Sequence, residues 1–253
     1  MMTDAAAPRE ICVAIDPWGI RLGSLEIAVL IAERLNAGLR GLLVGDQLLH
    51  QVAQLPFTTE VLVHTGEERN LAQESLTSSQ HKNLQLIAKM LEQATRARQV
   101  SFRLEVDRDI LPLGVLLRQQ QDLFLPARRR PATPPRKLGG IRQLPAVKWV
   151  YDGSPASQHC LALLEQLIAA GITRTVYLIG QRAVPSQVLA DLSARGARVC
   201  WVNCGAGLDI LRQLTRGPEA DLILLPASFS ELIGDARVED INRFSSCPML
   251  VVG

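Results

Sequence analysis

The sequence predicts an α/β fold in which two tandem halves each form a doubly wound, mostly parallel sheet. Short apolar runs alternate with amphipathic stretches of helical length along the 253 residues. The segment DLFLPA at 122–127 returns as DLILLPA at 221–227, with one extra apolar residue. Between the repeats lies a basic, Pro/Gly-rich segment, 127–145, which contains no acid. We therefore predict a first domain at 1–126, a linker at 127–145 and a second domain at 146–253.

Composition indicates a globular chain. Hydrophobic residues make up 47% and charged residues 21% of the sequence, which excludes a disordered chain. No apolar run reaches the roughly 18–20 residues that a membrane span requires. Residues 1–10 lack the pattern of a signal peptide, so we expect a cytoplasmic protein. The five cysteines include no C-x-x-C pair, and we interpret them as buried thiols rather than metal ligands.

The first half opens with a β-branched apolar run that ends in an acid, followed by apolar residues at helical spacing. A strand–helix–strand order of this kind predicts parallel strands with a right-handed crossover. In order, we predict a strand at 10–16, a helix within 22–39, a strand at 39–44, helical segments over 46–98 that are interrupted at Pro56 and near Gly66, a half-buried strand at 99–107, a short helix at 110–120 and a strand from Asp122.

The second half repeats this alternation on a shorter scale. In order, we predict a strand at 147–152, a helix at 156–170, a strand at 173–179, a helix at 184–194, a strand at 198–203, a helix at 208–216, and a strand–helix–strand unit over 221–253. The apolar run at 249–252 is one strand more than this half needs for a core, whereas the first half has no fifth strand. We expect the run at the contact between the two halves, or between two chains.

Several features resemble the tandem form of the universal stress protein family over nearly the whole chain. They are the first strands ending in Asp16 and in DGS at 152–154, the strands that begin at Asp122 and Asp221, and the closing string SCPMLVV at 246–252. The resemblance implies an open, doubly wound, Rossmann-like sheet in each half. It also implies that the halves pack as a pseudo-dimer, and that the C-terminal strand makes this contact or a dimer contact between chains.

The nucleotide-binding motif of that family is degenerate in the second half. ATP-binding members carry G-x-x-G-x9-G-[S/T] after the fourth strand, where backbone N–H groups cradle phosphates. Here Pro226 or Ala227 replaces the first glycine, and no glycine follows before Gly234. Phe229 adds bulk where a phosphate would approach, and Glu231 adds a repelling charge. We expect no tight triphosphate binding in this half.

The first half also lacks the glycines, but its charge suits an anion. Arg128, Arg129 and Arg130 follow the fourth strand directly and could hold a phosphate in place of backbone N–H groups. We expect no bound cofactor, and ATP or AMP in the first half is the open alternative.

Four other residues are candidates for contact with a nucleoside. Asp16 and Asp152 end the first strands, where ligands of open α/β sheets bind and where the family places an acid that contacts the nucleoside. Each acid could instead cap the following helix. Trp18 could stack on a base or cover the sheet edge, and Val44 ends the predicted second strand.

No motif nominates a catalytic residue or a metal site. The sequence lacks G-x-S-x-G, H-E-x-x-H and a P-loop, and its four histidines are scattered. We expect a non-enzymatic stress-response module that regulates or binds an unidentified protein through protein contacts. The alternative is an ATP- or AMP-binding switch with at most slow hydrolysis. A formal net charge of only +2 and a linker without aromatic residues argue against nucleic-acid binding.

Overall fold

The structure is a computed structural model that describes residues 9–16, 20–43, 55, 58–61, 65–70, 73–105, 116, 122–127, 143–180, 184–204, 208–229, 245 and 247–253. Most of the predicted linker lies outside the described residues, as do most of the predicted helix at 110–120 and most of the segment between the last two strands. Among the described helices, none is long and apolar enough to cross a membrane.

Strands and helices alternate in both halves, which confirms the predicted α/β class. The first half contains β1 (Glu10–Ile15), α1 (Leu22–Leu35), β2 (Gly38–Leu43), β3 (Thr59–Val61), β4 (Glu68–Asn70), α2 (Gln73–Ala97), β5 (Phe102–Glu105) and β6 (Leu123–Leu125). The second half contains β7 (Ala146–Val150), α3 (Pro155–Ala169), β8 (Thr175–Gly180), α4 (Ser186–Ala194), β9 (Arg198–Asn203), α5 (Leu208–Arg216), β10 (Leu222–Pro226) and β11 (Met249–Val252).

One prediction of helix was wrong. Within the region 46–98, β3 and β4 form a short antiparallel hairpin in which Thr59 pairs with Asn70 and Val61 with Glu68. Gly66 adopts a left-handed backbone (φ 70°) between the two strands, a conformation that glycine reaches without steric cost. The chain therefore reverses direction between β3 and β4, where we had predicted only an interruption between helical segments.

Nine of the described strands form a single sheet in the order β5-β2-β1-β6-β11-β10-β7-β8-β9. The four sheet strands of the first half lie in the order β5-β2-β1-β6, and those of the second half lie in the matching order β9-β8-β7-β10. If the sheet strands of each half are counted along the chain, both orders are third, second, first and fourth. Every neighbouring pair is parallel except β6 with β11. We expected two separate sheets, and the structure corrects this because β11 joins the strands of both halves.

β11 uses both of its edges. It pairs in parallel with β10, where Leu250 faces Leu224, and antiparallel with β6, where Leu250 faces Phe124. All four of its residues are buried. The strand therefore lies between the two halves, which is one of the two positions that we predicted for it.

Side chains alternate between the two faces of the sheet, and helices cover both faces. On one face, apolar residues of α1, α2, α3 and α4 pack against strand residues such as Val13, Phe124 and Trp149. On the other face, Leu116 and residues Ile210 and Leu214 of α5 pack against the alternate strand residues. In the second half, helices thus lie on both faces, as in a doubly wound Rossmann-like sheet.

Lys148 is a charged residue inside this second layer, only 3% exposed. Its Nζ donates to the carbonyl oxygens of Gln213 and Leu214 at 2.9 and 3.0 Å, in the last turn of α5. Burial lowers the pKa of Lys148, because the apolar surroundings disfavour its charged form. The ammonium is stabilised by carbonyls at the negative end of the helix dipole, so it ties α5 to the sheet.

We predict that β11 stabilises both halves. Replacing the fully buried Leu250 with alanine removes contacts to β6 and β10 at once, and should lower the free energy of unfolding by about 2–5 kcal/mol. Urea denaturation followed by circular dichroism measures the change. Leu86→Ala is the matched control, because Leu86 on α2 is 52% exposed and its replacement should cost about 0.5 kcal/mol or less. Equal effects of the two substitutions would contradict the role of β11.

Candidate functional site

The predicted site lies at the carboxyl ends of the strands. Of the candidate residues, the structure describes Asp16, directly after β1, and Asp152, two residues after β7; both are half-buried. The other candidates, Trp18, Val44 and Arg128, Arg129 and Arg130, lie outside the described residues. The geometry of the site is therefore best defined in the second half.

The carboxylate of Asp152 is the centre of a hydrogen-bonded cluster. Its Oδ1 accepts from the backbone N–H of Ser154 at 2.8 Å and from Oγ of Ser157 at 2.5 Å. Its Oδ2 accepts from Oγ of Ser228 at 2.6 Å. The oxygens of Ser154 and Ser228 are themselves 2.7 Å apart, so the four residues form one connected serine–aspartate cluster.

This cluster includes the start of helix α3. Ser154 is the N-cap, with its Oγ accepting from the backbone N–H of Ser157 at 3.2 Å, and Pro155 follows in the first helical position. Serine at the N-cap and proline in the first turn are both typical of helix starts. We had considered Asp152 as the helix cap. The structure shows instead that Ser154 is the cap and that Asp152 accepts a hydrogen bond from its backbone N–H.

Hydrogen bonding lowers the pKa of Asp152 below its usual value. Burial acts in the opposite direction and is the largest single influence, but it is outweighed by the combined hydrogen bonds from Ser154, Ser157 and Ser228. Donors that favour the charged carboxylate thus keep Asp152 ionised although it is partly removed from water.

Ser228 is the member of this cluster that sequence reasoning missed. It lies two residues after β10, and β10 is the direct neighbour of β7 in the sheet. The available signal was the polar pair Ser228 and Ser230, which follows the repeat at 221–227. We had interpreted this stretch only as a lost glycine motif, and not as a source of a partner for Asp152.

The side chain of Phe229 is not in the site. We expected it where a phosphate would approach, but it is 2% exposed and belongs to the apolar cluster on the α5 face of the sheet. Pro226 ends β10 opposite Val252, and the N–H of Ala227 donates to the carbonyl of Val252 at 2.8 Å. The backbone here is used for sheet pairing, and Pro226 has no N–H to offer a ligand.

In the first half, a main-chain hydrogen bond joins the start of α1 to the segment after β6. The N–H of Arg21, which precedes α1, donates to the carbonyl of Ala127 at 2.8 Å. Helix α1 begins without a side-chain cap and without an acid in its first turn. This start therefore lies beside the residue from which Arg128, Arg129 and Arg130 continue the chain.

The repeated acids at 122 and 221 have structural roles at the opposite end of the sheet. Asp122 pairs with Arg9, with Oδ2 at 2.6 Å from the guanidinium. Oδ2 of Asp221 accepts from the backbone N–H of Ala146 at 3.1 Å. Each acid thus connects the start of a fourth strand to the start of a first strand, which accounts for the repeat of this motif.

The cysteines agree only in part with the prediction of buried thiols. All five are free; Cys12, Cys160 and Cys247 are buried, whereas Cys200 and Cys204 are partly exposed. Burial raises the pKa of the Cys160 thiol far above its ordinary value, so this thiol is unreactive. Within the described part of the chain, no three His, Cys, Asp or Glu residues lie close enough together to hold a metal ion.

Comparison with known proteins does not assign the chain to a family. No family model and no curated protein matches it. Among solved structures, a universal stress protein in complex with cAMP matches at 20% identity with a TM-score of 0.33, over 44% of this chain and 98% of that one. A protein named as an aspartate carbamoyltransferase of Leishmania major Friedlin matches at 16% identity with a TM-score of 0.27, over 96% of this chain and 71% of that one.

We predict that Asp152 makes stability depend on pH below neutrality. Because its folded-state pKa is lowered, its stabilising effect is present above the unfolded value of about 3.9 and is lost as the pH falls through the folded value. Asp152→Asn should lower the melting temperature at pH 7, and the difference from wild type should shrink between pH 5 and pH 2. Asp209→Asn, at an exposed position on α5, is the control, and identical profiles for both variants would refute the prediction.

Proposed function

We propose that the chain is a non-enzymatic stress-response module of the universal stress type, which binds or regulates a protein partner and holds no nucleotide in its second half. The observation that carries this proposal is the serine–aspartate cluster around Asp152. In the family that the sequence resembles, an acid at this position contacts the nucleoside. In this chain, the same carboxylate is occupied by the protein's own hydroxyl and amide groups.

The number of acceptor positions on the Asp152 carboxylate supports this proposal. A carboxylate offers about four lone-pair directions, and Asp152 uses three of them for Ser154, Ser157 and Ser228. A ribose diol would need two. Binding would therefore require the breaking of at least one charge-assisted hydrogen bond, which is about twice as strong as a neutral one.

The position for a phosphate in the second half is equally unsuitable. The bond between Ser154 and Ser228 joins the start of α3 to the segment after β10, so both hydroxyl groups already have a partner within the protein. Pro226 contributes no N–H, and the N–H of Ala227 is bonded to Val252. Neither of these two described positions therefore offers an N–H group of the kind that a glycine-rich loop directs at an anion.

A second candidate function is a nucleotide switch that uses the first half. It is favoured by the hydrogen bond between Arg21 and Ala127, which holds the start of α1 next to the chain that continues into Arg128, Arg129 and Arg130. Guanidinium groups bind phosphates in bidentate geometry. In this candidate, ATP or AMP binds through arginine charge rather than through a glycine cradle, and hydrolysis is slow or absent.

Titration calorimetry of the full chain with ATP, AMP and cAMP at low salt distinguishes the two functions. The principal variant replaces Arg128, Arg129 and Arg130 with alanine. Its matched control replaces Arg136, Lys137 and Arg142, which removes three positive charges from the same basic segment. We expect no binding by the second half, so Asp152→Asn should not change any nucleotide affinity.

Each result has one reading. The absence of nucleotide heat supports a module that acts through protein contacts alone. Binding that the first triple variant abolishes and the control retains supports the switch, and its affinity should fall as salt rises. Nucleotide binding that survives the arginine variant but disappears with Asp152→Asn contradicts the proposal, because it would place the ligand in the second half.

A further inference from the structure

The nine-stranded sheet has two outer strands, β5 and β9, and they differ in charge. β5 carries Arg103 and Glu105, which form ion pairs with each other at 3.5 Å and, through Arg103, with Glu10 at 3.0 Å. Charged side chains on an edge strand oppose pairing with a further strand. This edge is therefore protected in the way that natural sheets protect their edges.

β9 lacks this protection. Its sequence is RVCWVN, and the only charge is on its first residue, Arg198. It contains no proline, and its register with β8 runs from Arg198 to Asn203 without a bulge. Among the described residues, no strand pairs with its outer edge. A regular edge of six residues whose only charge is at its first position is a surface on which another strand can add.

The outward backbone groups of β9 follow from its pairing with β8. The N–H groups of Arg198 and Cys204 donate towards β8, to the carbonyls of Arg174 and Gly180. Because a residue in a strand directs its N–H and C=O to one side and its neighbours direct theirs to the other, the even-numbered residues face β8. Val199, Trp201 and Asn203 therefore direct their N–H and C=O groups away from the sheet.

We propose that β9 pairs antiparallel with β9 of a second copy of this chain, with Trp201 on the two-fold axis. An antiparallel ladder requires that paired residues both direct their backbone groups across the edge. The register that engages all three outward residues of both copies pairs Trp201 with Trp201 and Val199 with Asn203. It forms six hydrogen bonds.

The charge pattern favours a second copy of this chain as the occupant. In this register, each Arg198 lies at an end of the ladder opposite Cys204 of the other copy, so the two arginines are about six residues of strand apart and do not face each other. A parallel arrangement would instead place them side by side, where like charges repel. The strand is thus complementary to itself in only one direction.

Trp201 supplies the apolar contact. Its side chain is 38% exposed, and its ring covers the end of β8, where a Cβ built on Gly180 would lie 3.5 Å from Cη2 of Trp201. A ring already packed against the sheet loses little freedom on association. In the dimer, β9 of the second copy covers the outward side of each Trp201 and removes part of its exposed surface from water. An interface of one strand is small, so we expect a reversible dimer. The fraction of dimeric protein should increase with protein concentration.

Sedimentation velocity over a concentration series tests this proposal with three variants of the full chain. Trp201→Lys places two positive charges opposite each other across the axis and should abolish the dimer. Trp201→Glu places two negative charges there and, when studied by itself, should abolish the dimer as well. Leu86→Lys is the matched control, because it adds the same charge at an exposed leucine of α2 and should leave the dimer intact. Circular dichroism and melting temperature establish that each variant is folded.

Mixing the two charged variants tests the register. If position 201 faces its own copy, an equimolar mixture of the Lys and Glu variants should recover a dimer that neither forms alone. The proposal is overturned if the wild type is monomeric at every concentration, if Trp201→Lys dimerises normally, or if Leu86→Lys dissociates as well. A mixture that stays monomeric overturns the placement of Trp201 on the axis, and capture of an unrelated extended peptide by a monomeric wild type would assign the edge to another partner.

Discussion

The structure depends on one strand having hydrogen-bonding partners on both sides. β11 completes the second half through its parallel ladder with β10 and joins the first half through its antiparallel ladder with β6. A backbone buried in an apolar layer must have all its polar groups paired, and the buried sequence MLVV achieves this only between two other strands. The side chains of β11 also contribute to the cores on both faces, so the halves share one sheet and both of its apolar layers.

Four charged residues at the sheet each link two elements. Asp122 and Asp221 connect strand starts, and Lys148 connects β7 to the end of α5. Asp152 connects the start of α3 to the segment after β10. Burying a charged group costs free energy unless it is hydrogen-bonded, so these four residues favour the arrangement in which each of them has its partners. The same requirement accounts for the three hydrogen bonds that the Asp152 carboxylate accepts.

Local patterns in the sequence were sufficient for most strands and helices, but not for the contacts between them. The apolar runs at 222–225 and 249–252 and the β-branched run at 10–16 predicted strands that the structure contains, because burial of a strand constrains its sequence residue by residue. The hairpin of β3 and β4 was missed because its strands have only three residues each, too few for a period. Whether two sets of strands form two sheets or one depends on pairing across the whole chain, and no local period encodes it. The bond from Ser228 to Asp152 belongs to the same class, since it joins residues far apart in sequence that only strand order brings together.

The position of β11 also has a consequence for the order of folding. β11 is the last strand along the chain, yet it lies fifth of nine across the sheet. The pairing of residue 250 with residue 124 closes a loop that contains the entire second half, and contacts of such long range form slowly. During synthesis from the N-terminus, the first half emerges with the apolar edge of β6 unpaired, and it remains so until β11 has been made. In that interval the edge is open to any strand that can reach it, so completion of the sheet is a competition between the chain's own last strand and other chains nearby.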